Sequence, residues 1–466
     1  MKSIASEPEG SKGGTVKMAK RLVSLVALMA IVGGTPAFAE SLNDALATAY
    51  ASNPTLDAQR AALRATDEEI AKALSGWRPT VTISGAGGFE SQENTVPAAG
   101  KVSSDLNPWS VALSGTQPIY RGGRTTAETS AADNQVLAGR AQLKSTEQSI
   151  LLSVVQAYVS IITNQAVVEL NQKNVQVLQR ELDASRDRFR VGELTRTDVA
   201  QSEARLAEAV SQLKGAEADL NQARQNYERA VGTAPGALQP LPPLPALPPS
   251  LDEARAIALA ENPDLNAARY AEAAARDGID IARSAILPQV SLHGQIARAG
   301  DQSASVSRTD DALIELQVSV PLYQSGAEYA AIRQNQQTAS QRLSEVSAAQ
   351  RSVVEGASNA LDQLRAARAV IESQKQAVAA NTLALEGVRQ ESAVGSRTVL
   401  DVLDAERELL NSNVALVRAQ GSEYSAAFSL LSAVGRLTAE NLNLPGDRYD
   451  PLAHYDKTRG RWFGYD

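Results

Sequence analysis

Two periodicities alternate along the chain. From Ile150, mostly apolar or small residues return every fourth and then third position, through Val154, Ala157, Ile161, Asn164, Val168, Asn171, Val175, Leu178, Leu182, Ser185 and Phe189. A second such run starts at Val353, Ala357, Ala360 and Leu364 and continues through Ile371, Val378 and Leu385. A stripe repeating on sevens predicts long helices packed as coiled coils. No proline interrupts residues 125–189, and a continuous helix of that length reaches about 98 Å at ~1.5 Å per residue. A returning helix carries Leu206, Leu213, Leu220 and Tyr227 on one line and Ala209, Ala216, Ala223 and Ala230 on the next. A row of alanines lets helix axes approach closely. Tight turns at Val191-Gly192 to Thr197 and Val394-Gly395 to Thr398 join each long helix to its partner. Glycine supplies the left-handed helix end there, and Thr195 or Thr197 can cap the next helix. Elsewhere the period falls to two. Ile314, Leu316, Val318, Val320 and Leu322 alternate with Glu315, Gln317, Ser319 and Pro321, and Trp109, Val111 and Leu113 alternate with Ser110 and Ala112. The preceding strands open directly after Pro79 and Pro288, a position at which a strand tolerates proline. The pattern predicts two β-hairpins, about 79–121 and 288–323, each between a short helix and a very long one.

The chain is one unit written twice. Ser41-Leu42 and Asn53-Pro54 return as Ser250-Leu251 and Asn262-Pro263 at an offset of 209, which Pro79 and Pro288 share. Pro118-Ile-Tyr120-x-x-Gly123 returns as Pro321-Leu-Tyr323-x-x-Gly326 at 203, and that offset then holds for Asp198 and Asp401, Glu203 and Glu406, and Gly232 and Gly435. The second copy therefore lacks six residues between Pro79 and Pro118. The expected organisation is a leader over 1–39, a first repeat over 40–234, a linker over 235–249, a second repeat over 250–437 and a C-terminal tail over 438–466. Six prolines in residues 240–249 make the linker a stiff polyproline II strap.

Composition narrows the function. The 466 residues include no Cys and two His, His293 and His454, which excludes disulfide scaffolds, thiolate metal sites and thiol nucleophiles. No catalytic, cofactor or metal site is expected. Gly122-Gly123 lacks the Lys-Ser/Thr of a phosphate loop. Lys17 to Arg21 followed by the apolar stretch Leu22–Val32 and Ala37-Phe38-Ala39 has the form of a cleaved secretory signal. Met18 is an alternative start to Met1. Without residues 1–39 the chain carries 40 basic and 51 acidic groups, so no nucleic-acid partner is expected.

Ten-residue strands with one apolar and one polar face suit a transmembrane barrel, though periodicity alone leaves a soluble hairpin packed on the helices open as the alternative. Four strands cannot close a barrel, and open edges are not tolerated in lipid. Membrane hairpins would therefore be pooled by several chains. Two chains give eight strands and three give twelve, and the helices would continue the barrel axis as a hollow tube. This accounts for 4% aromatic content, low for a chain that builds a whole barrel.

The doubled pattern, the Asn-Pro pairs, Gln117-Pro-Ile-Tyr120 and Val320-Pro-Leu-Tyr323, and both helix tips resemble the TolC family of outer-membrane efflux proteins over roughly residues 41–445. The tail Tyr449 to Tyr455 is similar to the ending of alphaproteobacterial members. The resemblance implies a mainly α fold with a β part. A long α-helical coiled-coil barrel would be joined to four β-strands per chain, contributing to a 12-stranded trimeric transmembrane β-barrel. It implies a homotrimer in the outer membrane of a Gram-negative bacterium, in contact with outer-membrane lipid. Its partners would be a periplasmic adaptor (membrane fusion) protein and an inner-membrane ABC or RND transporter, and its role the exit duct for type I secretion, multidrug efflux or both. By the same resemblance Asp401 and Asp404 form a periplasmic aperture and cation gate, and Arg397, Thr197 and Asp198 the network that holds it closed. The tip turns at Val191, Gly192, Thr195, Val394, Gly395 and Thr398 dock the adaptor, and Pro79, Pro118, Pro288 and Pro321 mark strand–helix junctions. From the residues alone, Asp401 and Asp404 read first as a solvated helix face with an Arg397–Asp401 pair. Ser392 stands where the family has a tyrosine, which puts the wiring of the closed state in question. The alternative function is a non-channel coiled-coil structural or adhesive envelope protein.

Overall fold

The computed structural model describes residues 39–97, 100–303 and 305–465. The expected leader and the choice between Met1 and Met18 lie outside the described residues. The first half runs α1 (Leu42–Ser52), α2 (Pro54–Ser75), β1 (Thr80–Gly87), β2 (Glu90–Val96), β3 (Gly100–Leu106), β4 (Trp109–Arg121), α3 (Arg124–Arg190) and α4 (Arg196–Val231). The second runs α5 (Leu251–Glu261), α6 (Pro263–Arg283), β5 (Gln289–Ser303), β6 (Val306–Ser319), α7 (Ala327–Ala393) and α8 (Val399–Ala433), with α9 (Ala453–Arg459) in the tail. Both long helices, α3 and α7, have 67 residues, about 100 Å each at ~1.5 Å per residue.

The helices lie side by side in four lanes. α3 packs on α4 and α8 in its lower part and on α2 and α6 in its upper part, and α7 packs on α8 and α6. The lane order is thus α2 with α4, then α3, then α6 with α8, then α7. Four strands continue these lanes in the same order, because the sheet runs β1-β4-β5-β6 with every neighbouring pair antiparallel. α2 leads into β1, β4 into α3, α6 into β5 and β6 into α7. Each strand is the extension of one helical lane, and both layers end in open edges.

In the sheet the register sorts the alternating residues onto two faces. Ile83, Leu113 and Ile296 align across three strands, and all are exposed. On the other face Thr82, Ser114 and Gln295 align, with 2.7 Å between the Thr82 and Ser114 hydroxyls. His293 lies on that polar face, Nδ1 3.2 Å from Thr116 Oγ1. Trp109 crosses onto Gly300, where a Cβ would sit 2.3 Å from the indole nitrogen. A side chain there would displace the ring. The first hairpin is not the single ladder the sequence predicts. It breaks at Gly88 and Pro108, and β2 and β3 form a separate two-stranded sheet beyond the break. The six residues missing from the second copy fall within this longer hairpin.

The short helices reach full length by end-to-end stacking, and the Asn-Pro pairs make the joints. Asn53 Oδ1 accepts from the N–H groups of Thr55 and Leu56 at the start of α2, while its Nδ2 donates to Ala230 O at the end of α4 (3.2 Å). Asn262 repeats the arrangement with Asp264, Leu265 and Ala433 O (3.0 Å). One amide thus satisfies orphan donors of one helix and an orphan carbonyl of the next. Pro54 and Pro263 occupy the first helical position, where no N–H is needed. At the second joint Gly435 has φ +89°, and a Cβ there would lie 2.6 Å from Glu261 O.

The proline strap lies on the largest core cluster through Leu238, Leu241, Leu244 and Leu247, one residue in three. Three is the period of polyproline II, so one face of the strap is apolar throughout. Glu40 pairs with it through Glu40 N to Ala237 O (2.8 Å) and Gln239 N to Glu40 O (2.9 Å). Tyr158, fully buried, donates its hydroxyl between Gln239 O (2.7 Å) and Glu40 O (3.0 Å). Burial pushes that phenol up to about 12. α3 also holds a stretch long and apolar enough to cross a bilayer, but its Leu151, Val154, Val155 and Ile161 are core residues of this same cluster. The tail returns over α2 and α3: His454 Nδ1 lies 3.2 Å from Asp67 of α2, Tyr455 donates to Asp133 of α3 (2.6 Å), and Arg78 donates to Arg461 O (2.7 Å) beneath the Trp462 ring.

Candidate functional site

The end of the helical layer far from the sheet consists of two turns of the same build. Gly192 and Gly395, at φ +84° and +80°, end α3 and α7 in the left-handed conformation. Thr195 and Thr398 then cap α4 and α8 as reciprocal boxes. Thr398 Oγ1 and N donate to Asp401 Oδ2 at 2.8 and 2.9 Å, and Asp401 N donates back to Thr398 Oγ1 at 3.3 Å. Thr195 and Asp198 repeat the box at 2.7, 2.9 and 3.3 Å. Of the two threonines open as caps, Thr195 fills the role, and Thr197 is exposed on the first turn of α4. The box accounts for the recurrence of Asp198 as Asp401, since each is the third helical residue and stabilises the developing helix. Hydrogen bonds from the Thr398 backbone, then its hydroxyl, hold Asp401 below the usual carboxylate range. The Thr195 hydroxyl, then its backbone, do the same for Asp198.

Asp401 and Asp404 lie one turn apart on α8 and are both half-buried. They differ in partner. Asp404 accepts from Arg205 Nη2 of α4 at 2.7 Å, with Arg407 Nη2 at 3.7 Å. The Arg397–Asp401 helix pair does not form as the sequence predicts. Arg397 precedes the Thr398 cap, so it is outside the helix, and the turn carries its guanidinium back to Glu391 of α7 (2.9 Å). Among the described residues, the structure brings Arg397 to neither Thr197 nor Asp198 within one chain. Ser392, in the last turn of α7, accepts the Gly395 N–H through its carbonyl at 3.1 Å. Val191 and Val394, at 72% and 81% exposure, project from the two turns as apolar knobs.

Higher on the coils, Glu203 and Glu406 each tie a helix pair together. Arg186 meets Glu203 at 2.7 Å, and Arg389 meets Glu406 at the equivalent position. Glu406 is buried and its carboxyl is pushed up by that burial, against the pull of Arg389. In the sequence these glutamates stand out only by their 203 offset, and their partners Arg186 and Arg389 share that offset without any local pattern to mark them. Arg205 was also missed, and no repeat could reveal it. At the junctions with the sheet, Pro79, Pro288 and Pro321 flank β1, β5 and β6. Pro118 does not mark the end of its strand. It lies inside β4, where the pairing with β5 shifts register between Pro118 and Tyr120, and a bulge absorbs the missing N–H. The described residues hold no cluster of His, Asp or Glu able to bind a metal ion.

The chain is similar to known proteins over nearly its whole length. It is 35% identical to the outer membrane efflux protein BepC of Brucella suis, over 96% of this chain and 97% of that protein. It is 26% identical to the outer membrane protein TolC of Vibrio cholerae, over 87% of this chain and 93% of that protein. Its fold matches the crystal structure of the outer membrane protein VceC from Vibrio cholerae with a TM-score of 0.74 at 21% identity, over 84% of this chain and 96% of that one. The family model for the outer membrane efflux protein matches residues 45–233 and 255–436, one stretch on each side of the proline strap. The chain therefore belongs to the outer membrane efflux protein family.

Proposed function

We propose that the protein is an outer-membrane channel-tunnel and the exit duct of a tripartite type I secretion or multidrug efflux system. The observation that carries this reading is the continuation of each helical lane by one strand of an open-edged sheet. Such a ribbon closes only by adding copies of itself, and three copies give a 12-stranded barrel standing on a 12-lane helical tube. The face bearing Ile83, Leu113 and Ile296 then meets outer-membrane lipid, and the face of Thr82, Ser114, Gln295 and His293 lines the lumen. An exposed apolar sheet face has no use in an adhesive stalk. The duct has no chemistry of its own. A periplasmic adaptor and an inner-membrane ABC or RND transporter supply energy and cargo choice, and the exposed turns at Val191-Gly192 and Val394-Gly395, with Thr195 and Thr398 behind them, dock the adaptor.

Asp401 and Asp404 form the periplasmic aperture in this reading. In a trimer they become two rings of three carboxylates, which attract cations. Arg397, Thr197 and Asp198 are left to bond across subunit boundaries, where they help hold the aperture closed. Planar-bilayer recording of the purified protein tests the assignment. Discrete, mostly closed, cation-selective channels are expected, blocked from the helix-tip side by multivalent cations. Replacing Asp401 and Asp404 together by Ala should relieve the block. An absence of conductance, or a block unchanged in the double variant, would refute the gate.

A further inference from the structure

Arg205 does not belong to the aperture as assigned above, yet its guanidinium connects the two long helix pairs. Among the described residues, Arg205 to Asp404 is the only ion pair or side-chain hydrogen bond that joins the α3/α4 pair to the α7/α8 pair. Leu178 of α3, Ala209 of α4 and Leu403 of α8 form a small buried cluster beside it. Within each pair, by contrast, the helices are tied by the duplicated Arg186–Glu203 and Arg389–Glu406 contacts.

The bridge is also a place where the two copies diverge. The 203 offset preserves Thr195 and Thr398, Asp198 and Asp401, Arg186 and Arg389, and Glu203 and Glu406. It fails at both ends of this bridge: Asp404 corresponds to Gln201, and Arg205 corresponds to Glu408. The Arg–Glu tie inside each coil is written twice, and the bridge between coils is written once. Both partners are restrained. Arg205 keeps 24% side-chain exposure and Asp404 43%, and Glu208 holds the guanidinium from its other side at 3.0 Å.

We propose that Arg205 is the positioning residue of the aperture, coupling its closure to its charge. The inference rests on the duct reading above. While the two coils are together, Asp404 is neutralised by Arg205 and the aperture presents chiefly the Asp401 carboxylates. When the coils separate, the same motion breaks the bridge and exposes Asp404, so the opened aperture gains a carboxylate per subunit. Opening and cation affinity are then linked, and linkage is reciprocal: a multivalent cation that binds the freed Asp404 favours the separated coils. A bridge that merely fastened two surfaces would change closure without changing cation block.

The test is planar-bilayer recording of the full chain as wild type, Arg205→Ala, Arg205→Lys and Arg205→Ala/Asp404→Asn, with hexaamminecobalt(III) added on the helix-tip side. Size-exclusion chromatography in detergent first confirms that each variant keeps the wild-type assembly. Arg205→Ala should open more often, and its half-blocking concentration should fall on the order of fivefold or more, the scale of a typical coupling between two sites. Arg205→Lys should return both properties toward wild type. The double variant should stay open but lose the added cation affinity. Arg205→Ala with wild-type opening and block would overturn the proposal, as would a raised opening with block unchanged. The two readings fail in different places. If the gate assignment itself is wrong, the Asp401→Ala/Asp404→Ala protein keeps its block. If only the coupling is wrong, that protein loses its block and Arg205→Ala behaves as wild type.

Discussion

A single amide at Asn53 and another at Asn262 do for this protein what a continuous helix would do elsewhere. Each caps the incoming helix and satisfies the outgoing one, and each was visible in the sequence only as a recurring Asn-Pro. The capping half of its role follows from local rules. The other half did not, because the partner carbonyl of Asn53 is 177 residues away and no local pattern carries that information. Asn262→Ala removes both functions and should destabilise the protein by about 1–3 kcal/mol, a lost cap together with an unsatisfied carbonyl. Asn262→Asp keeps the cap acceptor, loses the donor and should fall between the two. Guanidinium denaturation in detergent reads the order, and equal midpoints for all three proteins would show that the joint contributes nothing. The tip carboxylates give a second prediction at this scale. The threonine bonds favour the charged forms of Asp198 and Asp401, so their folded values lie below the ordinary 3.8. Their contribution is therefore complete above that value and is lost as pH falls through the depressed one. Amide hydrogen exchange, corrected for intrinsic rate, should show the first turns of α4 and α8 protected at pH 6 and loosened near pH 3. Protection unchanged across that window would mean that the boxes do not hold the tips.

Secondary structure was the most legible part of the molecule, because long helices and membrane-type strands announce themselves by period. Both coil seams were readable on that ground, including the stripe from Ile150 to Leu182, of which the structure buries Ile150, Val154, Ala157, Ile161, Val168, Leu178 and Leu182 along α3. What stayed hidden was set by contacts between elements. The break in the first hairpin, the bulge at Pro118 and the reversal of Arg397 toward Glu391 all depend on neighbours distant in the sequence or on a turn's exact path. The duplicated ion pairs show how much this matters, since identical residues sit in unlike surroundings. Arg186 and Glu203 are both about half-exposed, at 47% and 51%, whereas Glu406 is only 10% exposed beneath Arg389. Arg186→Ala should therefore cost no more than about 1 kcal/mol. Arg389→Ala leaves a buried carboxylate alone and should cost about 2–3 kcal/mol, somewhat less than the loss of a fully buried pair because Arg389 itself is solvated. Burial already raises the Glu406 value, so the Arg389→Ala penalty is largest at neutral pH. It should shrink as acid protonates the carboxyl, and Glu406→Gln in the same background should remove most of it. Equal costs for the two arginines in a denaturation series would overturn the burial argument.

At the scale of the molecule, one ribbon edge must meet another. β1 and β6 are the ends of the sheet order, and α7 forms the matching helical edge. Leu343, Val370 and Leu383 stand exposed along α7 at 51%, 47% and 71%, in a helix whose buried residues are far fewer than those of α3. In water these exposed apolar side chains on α7 and two bare strand edges would invite indiscriminate pairing, whereas in a closed ring each edge is covered by the opposite edge of the next copy. This predicts heterologous contact, β6 of one subunit on β1 of the next, and a ring that closes at three. The absence of cysteine from all 466 residues makes the prediction directly measurable, since any introduced pair is the only thiol chemistry available. With Thr82→Cys fixed on β1 and cysteine moved stepwise along β6 from Ala312 to Val318, oxidation in outer-membrane fractions should give a covalent trimer on denaturing gels. The reaction should peak at alternate positions, because only one face of β6 can meet the Thr82 side of β1. Each single cysteine variant should remain monomeric under the same conditions. A covalent ladder that stops at dimer, or cross-linking equally strong from both faces of β6, would exclude the three-fold ring.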